Sequence, residues 1–210
     1  GARSSPVASA RGEGVVSAAP DGRVAPPASA PESPLAIAAQ RYLELGDRAF
    51  REGRYYDAVQ FYAKAVEFAP DQGALYLVLA DALFAAGDYH YGAYAVRRAL
   101  ELDPTLVDSR VDKHSFYPDP KLFDEQLAAL ERYLNSNPSD RDARLVLAVN
   151  YLLGARAKDA VRVLEANPSA LADDRAAQRV LERARAAARR TRIGASRRSC
   201  APTTRSAPST

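Results

Sequence analysis

This chain of 210 residues has no tryptophan and no methionine, one cysteine and two histidines. Each scarcity excludes something. Cys200, alone, can form neither an intrachain disulfide nor a cysteine-based metal site, and it leaves the compartment open. His90 in GDYHYG and His114 in DKHSF each lack a second ligand four residues away, so neither begins a helical metal site. No glycine loop is built to cradle phosphate and no nucleophile elbow is present. No catalytic residue, metal or cofactor is therefore expected, and the chain does not read as an enzyme. No run of about 18 apolar residues exists, so no helix is expected to span a bilayer. A start at Gly1 without methionine suggests processing or a fragment, and a removed signal peptide would leave no trace.

Acid is missing from one region. Residues 189–210 hold Arg189, Arg190, Arg192, Arg197, Arg198 and Arg205 without a carboxylate, a net +6, whereas residues 1–34 balance three arginines with three acids. Because the whole chain carries +3, the body over 35–188 is left at −3, and the alkaline pI of 9.0 belongs to the tail. A nucleic-acid or anionic-membrane role would have to run through those arginines, and no aromatic is interleaved with them to stack on bases. Residues 1–34, rich in Ala, Ser, Pro and Gly without periodicity, and the basic tail over 191–210 cannot bury enough apolar surface to offset the entropy of ordering. Both are expected to be disordered.

The body, at 35–190, repeats itself. Pro70, Pro104 and Pro138 stand 34 residues apart, and sliding 39–72 onto 73–106 aligns ten identities without a gap, among them Leu43 with Leu77, Asp47 with Asp81, Phe50 with Phe84 and Gly53 with Gly87. Each unit reads as two helices. Tyr42, Leu45 and Ala49, and their copies Tyr76, Leu79 and Leu83, form one apolar stripe. Gly53 and Gly87 supply turns, since a residue without Cβ accepts positive φ. Ala58, Phe61, Tyr62, Ala65 and Ala69 mark the second helix, which a proline without an amide hydrogen ends. Asp71, Thr105 and Ser139 are expected to cap the helices that follow.

These residues resemble the tetratricopeptide repeat family. Counting Ala39 as the first position, Tyr42, Leu45, Gly46, Ala58, Tyr62, Ala65 and Pro70 meet its signature in full, and Tyr76, Leu79, Ala80, Gly92, Val96, Ala99 and Pro104 meet it with Val96 as the weak match. The resemblance implies an all-α, right-handed α-α superhelix of stacked hairpins. Units are expected at 39–72, 73–106, a degenerate 107–140 and 141–168, with a polar capping helix over 171–189. In the third unit, Arg110, Lys113, His114, Pro118 and Pro120 make a full first helix doubtful. Its second helix survives in the stripe Phe123, Leu127, Leu130 and Leu134. Segment 106–120 thus reads as a decayed helix or as a loop shaped for a ligand at the groove's edge. Tyr89, Tyr91 and Tyr94 are expected to serve packing.

The family receives peptides or partner helices on a concave surface lined by first helices. Carried over by unit position, the lining is Gln40, Leu43, Asp47, Phe50 and Arg51, then Ala74, Leu77, Asp81, Phe84 and Ala85, and in the fourth unit Asp142, Leu145, Val149, Leu152 and Leu153. Chaperone-binding members hold a C-terminal carboxylate with Lys and Asn where this chain has Leu43, Leu77, Asp47 and Asp81, so a carboxylate-clamp partner is excluded. The expected function is a noncatalytic scaffold or adaptor for a protein or peptide, apolar and carrying Arg or Lys, anchored on Phe50, Phe84 and the leucines. Two alternatives stand beside it: the arginine tail tethers the body to nucleic acid or an anionic surface, or the chain is a noncatalytic part of a larger enzyme. Self-association through the third unit or an uncovered end is compatible with the first.

Overall fold

A computed structural model describes residues 33–109, 112–170 and 172–199, with side chains placed through residue 190 apart from Ala170. The N-terminal leader, Arg110 and most of the arginine tail lie outside the described residues or side chains. Among the described residues there are eight α-helices and no strand. No described helix is long and apolar enough to cross a membrane.

Helix α1 (Pro34–Arg51) starts where Ser33 accepts a bond from the Ala36 amide and Pro34 supplies a preset φ. It stops at Gly53, whose φ of 74° would strain a residue with a side chain. Helix α2 (Tyr55–Phe68) folds back on α1. Ala58 and Ala65 are fully buried between the two, and Tyr62 presses so close to α1 that a Cβ on Gly46 would lie 2.3 Å from its ring. The small-and-large alternation is thus a packing surface. The second hairpin, α3 (Gly73–Ala86) and α4 (Tyr89–Leu102), repeats the plan with Gly87 at φ 82° and Asp88 capping α4.

The expected caps move. Gln72, not Asp71, precedes α3 and offers no side-chain bond, while Thr105 falls inside a 3-10 turn (Pro104–Asp108) that Asp103 caps. Asp140, one residue beyond Ser139, caps α6. In the latter two cases a carboxylate nearer the first free amide takes the bond.

The third unit has no first α-helix. Its place is taken by the turn at Pro104–Asp108 and a second 3-10 turn (Lys113–Phe116). Helix α5 (Pro120–Ser136), capped by Asp119, buries Phe123, Leu127, Leu130 and Leu134 as the stripe requires. The fourth hairpin is α6 (Arg141–Leu153) and α7 (Ala157–Glu165), joined by Ala155 at φ 62°. With the intervening helix missing, α6 packs directly on α4, and Gly92 of α4 meets Val146 of α6. The buried Arg144 donates to the carbonyls of Pro138 and Val163, tying α6 to the turn before it and to α7. Helix α8 (Arg175–Ser199) covers α6 and α7, and runs ten residues past the expected end at 189. Asp174 serves both as its cap and as a partner of Arg97 on α4.

Candidate binding cleft

The facing sides of α1 and α3 form a cleft of about 300 Å³. Five of the expected residues line it: Leu43, Asp47, Phe50 and Arg51 from α1, and Asp81 from α3, joined by Tyr62 and Val78. Period explains the grouping, because positions 43, 47, 50 and 51 recur at three and four residues along one helical face. One wall comes from elsewhere. Ser115 and the exposed Phe116 of the second 3-10 turn close the cleft, a contribution that the repeat pattern alone did not assign.

Both aspartates already have partners within the chain. Asp47 accepts a 2.8 Å hydrogen bond from the Tyr62 hydroxyl. Asp81 accepts from the Lys113 ammonium, and Lys113 is only 3% exposed. Burial raises the Tyr62 hydroxyl well above the ordinary tyrosine range, and the Asp47 carboxylate pushes it the same way. Tyr117 is raised likewise, first by burial and then by the nearby Asp81 charge. Its ring stands 5.1 Å from Phe50, 6.1 Å from Tyr55 and 5.7 Å from Phe123.

The remaining expected residues do not join this cleft. Phe84 lies buried edge-on to Phe123 at 6.2 Å. Leu77, Val149 and Leu152 converge on Val96, Leu100 and Val180 around a void of about 10 Å³, too small for any ligand. Leu145 is buried as well. In the fourth unit α6 has closed onto α4 and Leu145 and Val149 are core, whereas Leu152 is part-buried and also borders a separate cleft of about 650 Å³ with Val107, Lys113 and Arg183. Tyr91 and Tyr94 also depart from expectation, with 62% and 59% of their surface exposed, because α4 packs through Gly92, Ala93, Ala95, Val96 and Ala99 instead. Tyr89 does pack, 5.3 Å from Tyr133.

His90 lies against Asp142, which also pairs with Arg97, and His114 against Asp124. Among the described residues no group of three or more His, Cys, Asp or Glu is placed to hold a metal ion.

The first two hairpins place the signature residues in the packing roles that the repeat pattern assigns them. The fold is a tetratricopeptide-type array. No protein-family model matches the chain, and no curated protein matches it either. Solved structures similar to it include the TPR2B-domain:pHsp70 complex of yeast Sti1, at 16% identity over 70% of this chain and 96% of that one, with a TM-score of 0.37. The Sgt2 TPR domain from Aspergillus fumigatus is 17% identical over 82% of this chain and 89% of its own, TM-score 0.36. MamA from Desulfovibrio magneticus RS-1 is 17% identical over 79% and 98%, TM-score 0.33. Likeness at this level says nothing of what the chain binds.

Proposed function

We propose that the protein is a noncatalytic scaffold that holds a segment of another polypeptide in the cleft between α1 and α3. The observation that carries this reading is the cleft itself, where apolar walls from Leu43, Phe50, Val78 and Phe116 flank two carboxylates. Apolar side chains desolvated in such a recess supply most of the affinity at an interface, and a charge-assisted bond fixes the register. The occupant is accordingly an apolar segment carrying Arg or Lys. Asp47 and Asp81 each have an acceptor site left after their internal bonds, since a carboxylate takes up to about four.

Selection from a displayed random peptide library tests the proposal with the full chain. Enriched sequences should combine apolar residues with Arg or Lys, and replacing that cation by norleucine should weaken binding at least tenfold. A Val78→Glu substitution, which places a carboxylate in the apolar wall, should abolish capture. Failure to enrich any sequence, or equal binding to Val78→Glu, would sink the reading.

A further inference from the structure

We infer that the turn Lys113–Tyr117 is a built-in occupant of the cleft face, an autoinhibitory strap. A partner segment bearing Lys or Arg four residues before Tyr or Phe displaces it. The inference rests on the binding function proposed above and adds the regulation and the recognition pattern of that site.

The strap lies where the missing first helix of the third unit would stand, and it meets α1 and α3 with the chemistry expected of a bound peptide. Lys113 gives its ammonium to Asp81, and Tyr117 wedges between Phe50, Tyr55 and Phe123. Ser115 and Phe116, between those two anchors, form the wall of the open cleft. An incoming segment therefore meets the strap as one wall of its site.

The way the strap is held makes it detachable. Its backbone bonds are local, from the Ser115 amide to the Asp112 carbonyl and from the Tyr117 amide to the His114 carbonyl. Among the described residues no backbone bond joins it to α1 or α3. Side chains do the holding, through the Lys113–Asp81 ion pair, the contact of His114 with Asp124 at 3.3 Å and the ring cluster that Tyr117 and His114 join, and each can be re-formed by side chains of another chain. The buried lysine points the same way. A plug serving stability alone is better made of apolar residues, because desolvating an ion pair cancels most of its attraction, whereas pairs of this kind are best attested in registry and switching.

A tethered occupant competes at an effective concentration in the millimolar range for short linkers, so it suppresses weak ligands and yields to those with additional contacts. Leu43, Asp47 and Val78 line the cleft beyond the two anchors of the strap, and a partner gains by reaching them. Its apparent affinity is the intrinsic affinity multiplied by the fraction of time the strap is open.

A labelled synthetic peptide with the sequence of residues 112–120, followed by fluorescence anisotropy against the full chain, provides the test. Binding to the unaltered protein should be weak, and binding to the Lys113→Gln, Tyr117→Ala double variant at least tenfold tighter. Adding Asp81→Asn should cancel that gain. Lys113→Gln alone keeps Tyr117 in the ring cluster, and serves if circular dichroism finds the double variant short of helix; it should show a several-fold gain. Equal affinity for the unaltered and loosened forms, both with full helix, would overturn the strap. If library peptides then still bind, the scaffold function stands without it; if neither they nor the strap peptide bind any form, both ideas fall together.

Discussion

The first two hairpins and the third unit solve the same packing problem with different chemistry. Helices α1 to α4 are held by close backbone approach, with alanine and glycine at the crossing points and larger side chains such as Tyr62, Leu83 and Val96 filling the space between. The third unit lacks the helix that would make such an approach. It fills the gap with rings and a charge: Phe123 touches Phe84, His114 and Tyr117, and Lys113 neutralises Asp81. Small-residue contacts are rigid and self-sufficient, while a ring-and-charge plug depends on side chains that a ligand can imitate. On the reading proposed above, the regular half is scaffold and the irregular unit is where binding and its control would meet.

The largest way to break that contrast is Phe123→Ala. Phe123 is 1% exposed and joins the strap to α3 and, through Gly154, to the end of α6. Truncating a buried phenylalanine costs about 3–5 kcal/mol, and urea denaturation should place the loss there. A much smaller cost would mean that the rings only decorate the third unit. In the regular half the matching change is an addition. Gly46→Ala sets a methyl 2.3 Å from the Tyr62 ring, and overpacking of this kind costs about 1–3 kcal/mol, more than the helix propensity gained from alanine offsets. Unchanged thermal stability would show that α1 and α2 are not closely apposed.

Much of this contrast was legible in the residues. Gly53, Gly87 and the 34-residue proline spacing placed the first two hairpins within a few residues, because local turn chemistry decides them. Pro118 and Pro120 flagged the missing helix for the same reason. The burial of Lys113 was not legible: a lysine in DKHSF reads as solvated, and only the vacancy beside Asp81 draws it inward. Leu145, Val149 and Leu152 were assigned to a lining by unit position. That assignment presumes a complete third unit, and when α6 takes the absent helix's place on α4, Leu145 and Val149 become core and Leu152 is left part-buried at its edge. Tyr91 and Tyr94 were expected to pack for a related reason, since which face of α4 is covered depends on which neighbour follows it.

The smallest expected effect sharpens the contrast at a single atom. Asp47 belongs to both halves of the comparison, as the acceptor of the Tyr62 hydroxyl in the scaffold and as a carboxylate in the cleft. Tyr62→Phe deletes the scaffold bond and leaves Asp47 half-buried with water within reach, so its cost should be about 1 kcal/mol by denaturant unfolding. Peptide affinity should not fall, because the carboxylate keeps its charge and gains a free acceptor site. Asp47→Asn removes the charge and should weaken a Lys- or Arg-bearing peptide several-fold at a similar cost in stability. Parallel losses of affinity in the two variants would assign Asp47 to the scaffold alone, and leave Asp81 to meet the cation without help.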